Sequence, residues 1–211
     1  MARERKGLRI MTKPPRMQGV CIALASKSPR RRELLGMIFP EVRIAPVKDV
    51  EEIYPADLPA REVPQWLSRL KASAHQDVVQ PGELLLTADT VVIVDGEILG
   101  KPRDEADACA MLQHLSGKVH TVVTGVTLSD STGRMVSFSD TTDVEMTALT
   151  NDEIEAYVAT YKPLDKAGAY GIQEWIGGIG IKAIHGSFYN VMGLPLHAVY
   201  EHVKKLLQEP L

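Results

Sequence analysis

Apolar and polar positions change period often along this chain, and the changes predict interleaved strands and helices. Val20–Ala25 is a short apolar run that reads as a buried strand. Ser28-Pro29 then offers an N-cap followed by proline at the first helical position, so a helix is expected from Pro29 to about Ile38. Pro40 to Pro59 reads mostly as loop, with a short strand near Val42–Ala45. Trp66, Leu67, Leu70, Ala74 and Val78 recur at helical spacing and predict a helix over 63–79. Leu84–Leu86 and Val91–Val94 read as two strands, and Asp95-Gly96 as a hairpin turn returning through Ile98-Leu99. Asp104 to Leu115 is helical and stops at Gly117. Val119–Leu128 and Met135–Leu149 alternate as long strands, with a turn over Ser129–Gly133. Thr150 and Glu153 have the spacing of a capping box for a helix to about Thr160. A glycine-rich β region is expected next, and a helix from Leu194 to about Leu207 closes the chain. Strands and helices interleave while hairpins intrude, which is the pattern of an α/β class with a mixed sheet.

The composition narrows the picture. Apolar residues make up 45% and aromatics only 5%, so Val, Ile, Leu and Ala must build the core. No apolar run approaches the roughly 18–20 residues of a membrane span, and the basic start has no apolar stretch behind it to make a secretory signal. Cys21 and Cys109 stand far apart and read as reduced thiols, so a cytoplasmic protein is expected. The net charge of −3 is uneven: residues 1–20 carry six bases against Glu4, leaving 18 bases and 26 acids elsewhere. An acidic body argues against a nucleic-acid surface. Residues 1–19 are expected to be a basic, disordered extension, and 20–211 a single domain.

Several segments carry candidate chemistry. Ser26-Lys27-Ser28-Pro29-Arg30-Arg31-Arg32 places hydroxyls and guanidinium forks at a helix start, where free N–H groups and the dipole favour an anion. Adjacent helical residues point about 100° apart, so the three arginines cannot all face one ligand. A capped helix with a solvated basic face explains the segment equally well. Asp89, in Thr87-Ala88-Asp89-Thr90 between apolar runs, needs a partner if buried; the alternatives are a metal or proton-transfer role and a backbone-bonding strand-end Asp. Glu51-Glu52 and Lys71, taken alone, read as solvated surface. Lys101 is a better candidate because Gly100 and Pro102 fix the loop that presents it. Small residues in Asp165–Gln173 permit close backbone approach to a ligand and the Gln173 amide suits a base edge, the alternative being a plain turn between strands. His75, His114, His120, His185, His197 and His202 form no zinc spacing, so a catalytic metal would have oxygen ligands, as Mg²⁺ or Mn²⁺ does.

Taken together, the segments resemble the Maf family of nucleotide pyrophosphatases. The matching stretches are Leu24–Arg31, Ala88-Asp89-Thr90, Gly100-Lys101-Pro102-Arg103, Leu115-Ser116-Gly117, Asp165–Gln173 and Val191–Leu196. Six collinear motifs are far more specific than one. The resemblance implies an α/β fold with a long twisted sheet flanked by helices and two lobes around a substrate cleft. It implies hydrolysis of a nucleoside triphosphate to monophosphate and pyrophosphate with Mg²⁺ or Mn²⁺, and a homodimer. Asp89 matches the family's proposed proton acceptor. Ser26, Arg31, Glu51, Lys71 and Lys101 match its polar site, and Arg30, Thr90 and Gln173 match positions linked to base choice. On that basis Glu51 or Glu52, with Asp89, is expected to hold the metal. Arg31, Lys71, Lys101 and the helix start at Ser28 are expected to clamp phosphates. The intact Lys166–Gln173 stretch looks like the subgroup acting on dTTP, UTP and some modified pyrimidine nucleotides, described as house-cleaning enzymes. The same family suggests a second reading, a nucleotide-dependent regulator of septum formation with weak catalysis. Three places depart from the pattern: Thr87 stands where members carry glycine, Glu174–Gly178 replaces a shorter glycine-led turn, and Phe188-Tyr189 moves an aromatic.

Overall fold

The computed structural model describes Met17 and residues 19–208; the rest of the basic N-terminal stretch lies outside the described residues. The strands are β1 (Cys21–Leu24), β2 (Glu41–Ile44), β3 (Glu83–Val94), β4 (Glu97–Leu99), β5 (Val119–Ser129), β6 (Met135–Met146) and β7 (Ile181–His185). The helices are α1 (Pro29–Ile38), α2 (Val63–Ala74), α3 (Glu105–Leu115), α4 (Asn151–Tyr161), α5 (Trp175–Gly180), α6 (Phe188–Val191) and α7 (Leu196–Gln208). The strands form one sheet in the order β2-β1-β3-β5-β6-β7, with β4 on β3. The β1 pairings with β2 and β3 are parallel, and every pairing from β3 onward is antiparallel. This is the mixed α/β class expected.

Local signals perform as their chemistry requires. The Ser28 hydroxyl accepts from Arg31 N–H at the start of α1, and Thr150 and Glu153 complete a reciprocal capping box on α4. Asp95 and Gly96 turn the β3–β4 hairpin at φ of 51° and 85°, the left-handed pair that matches strand twist. Two expectations need correction. Leu84–Leu86 and Val91–Val94 are the ends of one twelve-residue strand, because β5 pairs along β3 from Leu85 to Ile93 without a break. The glycine-rich region after α4 is mostly not β: a 3-10 turn at Ala167–Ala169, α5 and α6 surround the short β7. Several of its glycines serve close packing instead, as at Gly177, where a Cβ would lie 1.8 Å from the Ile172 carbonyl oxygen.

Side chains alternate across β3 and sort the core into layers. Leu86 and Ala88 join Val126 and Leu128 beneath α1 and α7. Val92 and Val94, on the same face, join Val122, Val144 and Met146 beneath α3 and α4. Two lobes thus share one sheet face, and the polar pair Thr90 and Thr124 lies between them. The opposite face of β3 and β5 is covered by α2. The helix comes close enough there that a Cβ on Gly125 would stand 2.2 Å from Gln65 N. No helix among the described residues is long and apolar enough to cross a membrane.

Candidate active site

The cleft forms where β3 loses a neighbour. Along one edge, β3 pairs with β1 through Leu86 and with β4 from Val92, so Thr87–Val91 has no strand beside it. A chain that leaves β1 for α1 at this point opens a crevice at the ends of the parallel strands, where ligands bind in α/β sheets. The cavity is about 700 Å³ and is lined by the turn into α1, the loop before α2, Lys71, Asp89, Thr90, Lys101 and Gln173. That volume is within the usual range for a small-molecule site.

Asp89 lies mid-strand on the α2 side, and its side chain is 14% exposed. Lys71 Nζ reaches its Oδ1 at 2.6 Å and Glu52 Oε1 at 2.7 Å, so one ammonium gathers two carboxylates on the cleft wall. The close approach of α2 at Gly125, the β5 partner of Asp89, sets this distance. Thr87, which stands where family members carry glycine, donates its hydroxyl to the Ser68 carbonyl of α2 at 2.7 Å and so ties the strand to that helix. Of the two loop acids, Glu52 lines the cleft while Glu51 is exposed outside it. The chain turns tightly here, with Ile53 N–H donating to the Glu51 carbonyl at 2.9 Å.

The arginines divide as their helical spacing requires. Arg32 is exposed and outside the cleft lining. Arg31 turns inward, donating to the Ala88 and Gly193 carbonyls at 2.8 Å each, to Thr90 Oγ1 at 3.0 Å and to Ser26 Oγ at 3.3 Å. It supplies to the open β3 edge a donor that a strand would otherwise provide. With these bonds the guanidinium fork is largely spent on protein, so Arg31 is first a brace for the cleft floor rather than a free phosphate clamp. Burial pulls its pKa down, and the charge of Asp89 opposes that. Arg30 reaches across the cleft to Asp165 Oδ2 at 2.6 Å. Burial alone would raise the Asp165 carboxyl, but hydrogen bonds from Lys166 and Arg30 prevail and hold it at about 2.

Ser26 and Ser28 shape the turn into α1: Ser28 N–H donates to Ser26 Oγ at 3.2 Å. Lys101 is exposed and lines the cleft, on a loop tied down by Gly168 N–H to the Gly100 carbonyl at 3.0 Å. Gln173 faces the cleft from the opposite lobe and is exposed. The sequence reading missed Gly193 and Gly125. An isolated glycine within a strand pattern, as at Gly125, is a signal of close backbone approach. Phe188 and Tyr189 lie outside the cleft lining.

The family described as Maf-like protein matches residues 21–206. The dTTP/UTP pyrophosphatase of Bacteroides thetaiotaomicron is 52% identical over 185 residues, covering 88% of this chain and 95% of the relative. That of Phocaeicola vulgatus is 49% identical with the same coverage. Among solved structures, the Staphylococcus aureus Ham1 protein aligns with 59% of this chain and 71% of its own, at 20% identity and a TM-score of 0.45, too low to carry an argument. With five of its six motifs contributing to one cleft and relatives this similar over nearly their whole length, the chain belongs to the Maf family.

Proposed function

We propose that this protein hydrolyses nucleoside triphosphates, dTTP and UTP foremost and modified pyrimidine nucleotides with them, to the monophosphate and pyrophosphate. The observation that carries this reading is the Asp89–Lys71–Glu52 constellation on an open strand edge, facing the start of α1 across the cleft. Asp89 Oδ1 is engaged by Lys71, which leaves Oδ2 to orient a water and accept its proton. The water oxygen bonds to the α-phosphorus, the bond to the α–β bridging oxygen breaks, and pyrophosphate leaves. Lys71, Lys101 and the N–H groups at the start of α1 stabilise the charge that develops on the departing phosphates. Arg31 holds the floor in place, and Gln173 meets the base with Thr90 and Arg30 nearby.

Glu52 and Asp89 are a hard-oxygen pair on one wall, a donor set that fits Mg²⁺ or Mn²⁺ once phosphate oxygens complete the shell. Among the described residues no group of three or more His, Cys, Asp or Glu side chains would hold an ion without substrate. Bound there, the ion supplies neutralisation of the triphosphate charge. House-cleaning of the free nucleotide pool places the activity in the cytoplasm, and the homodimer remains part of this proposal. A regulator without turnover is not favoured, since the whole polar set is intact. Pyrophosphate release from a panel of triphosphates with Mg²⁺ or Mn²⁺ tests the reading. Selective turnover of dTTP and UTP is expected, with a loss of about 10²–10⁴ in Asp89→Asn. Folded protein that turns over no triphosphate, or Asp89→Asn with normal turnover, would refute it.

A further inference from the structure

The turn that carries Gln173 is held from behind by a carboxylate that the mechanism leaves unused. Glu174 N–H donates to the Gly171 carbonyl at 3.0 Å and closes the turn. The Glu174 side chain folds back over Gly171, where a Cβ would stand 2.6 Å from its carboxyl carbon. Tyr157, fully buried on α4, donates its hydroxyl to Glu174 Oε2 and accepts Gly171 N–H at 3.0 Å. Lys166 Nζ, 9% exposed, reaches Glu174 Oε1 at 3.1 Å. Behind the turn, Gly177 N–H donates to the Glu174 carbonyl at 2.9 Å. The backbone on both sides of Gln173 is therefore pinned, while the amide itself has no hydrogen-bond partner among the described residues. The same Lys166 holds Asp165 Oδ1 at 2.9 Å, and Asp165 holds Arg30. A line of charges thus ties this turn to α1 across the cleft.

The geometry points to Glu174 as a positioning residue for base selection: held by Tyr157 and Lys166, it fixes the backbone that presents the Gln173 amide to a pyrimidine edge. This rests on the reading of the cleft as a nucleoside triphosphate site. An amide offers one acceptor and one donor face. Uracil and thymine present an acceptor at O4, whereas cytosine presents a donor at N4. Rotation about its last bond lets the Gln173 side-chain amide suit either edge, whereas the Gln173 backbone N–H and carbonyl beside it, neither of them paired among the described residues, keep the direction the turn gives them and match one pattern only. A turn released from Glu174 lets these backbone groups follow either base, so discrimination is lost while phosphate binding persists.

The test uses the full chain with Glu174→Gln and Tyr157→Phe, the second keeping the buried ring so that it reports even if the first is unstable. Calorimetric titration with α,β-methylene UTP and CTP measures base preference, inorganic tripolyphosphate serves as the probe without a base, and UTP turnover of the unaltered protein runs in parallel. The UTP-over-CTP affinity ratio is expected to fall about tenfold, the worth of one hydrogen bond, with tripolyphosphate affinity unmoved. An unchanged ratio in folded variants, tripolyphosphate affinity falling in step with the nucleotides, or an unaltered protein that does not prefer the uracil analogue would each overturn the inference. Absent UTP turnover with the preference present and lost in the variants would overturn the hydrolytic reading and support base selection by this turn.

Discussion

Replacing Gly125 with alanine puts a methyl carbon 2.2 Å from the amide nitrogen of Gln65 and 2.3 Å from the carbonyl carbon of Pro64. Both atoms are backbone in the first turn of α2, so no flexible side-chain tip can yield. Ordinary contact begins at 3.4 Å, and the helix must withdraw by roughly 1 Å to restore it. The same helix carries Lys71 and accepts the Thr87 hydroxyl through Ser68, so its displacement lengthens the 2.6 Å contact to Asp89. Overpacking of this kind costs about 1–3 kcal/mol, which lowers the melting temperature by about 2–12 °C for a chain of this size. A shift of about 1 Å at a reacting group costs about 10² in rate. Thermal melting and pyrophosphate release from UTP, measured on the same Gly125→Ala preparation, check both figures. A folded variant with unaltered melting and turnover would refute the claim that this close approach sets the Lys71–Asp89 distance.

Three further outcomes follow from the same geometry. Lys71→Met leaves Glu52 and Asp89 without their shared cation, and UTP turnover should fall by about 10²–10⁴; initial-rate assays decide it. Chelation with EDTA should abolish pyrophosphate release, and Mg²⁺ or Mn²⁺ should restore it, whereas undiminished activity in excess chelator would remove the metal from the proposal. His120 is buried with its Nε2 2.7 Å from the Tyr170 hydroxyl, and burial lowers its pKa to about 4 despite the charge of Asp143. The unfolded chain therefore binds a proton that the folded one refuses, so stability is full above about 6.5 and falls as pH drops toward about 4. Urea midpoints across that window should show the decline, and His120→Asn should flatten it.

Much of the local structure was legible because its causes are local. The Ser28 cap, the Thr150–Glu153 box and the Asp95-Gly96 turn each arise from groups within a few residues of one another, and each stands where the sequence predicted. The region after α4 misled because glycine content reports permissiveness, not the element that uses it. There Gly177 admits a carbonyl and Gly171 admits a carboxylate, contacts that no local pattern encodes. For the site, the residue pattern singled out Asp89, Lys101, Arg30, Arg31 and Gln173 and the family resemblance added Lys71, all of which line the cleft. It also paired Glu51 with Glu52, and only Glu52 faces inward.

By itself, then, the sequence determined most of the elements before the end of α4, the α/β class and the polar residue types that phosphate chemistry requires. Caps, turns and alternation are short-range physics, written wherever the residues stand. The tertiary structure decided which edge of β3 is left open, since that depends on where β1 ends and β4 begins. It decided that Arg31 braces the open edge while Lys71 meets Asp89, because a side chain's partners are set by register and helix approach across scores of residues. The reason is one of range: propensity acts over a turn of chain, whereas the direction of a functional group is fixed by packing between segments distant in sequence.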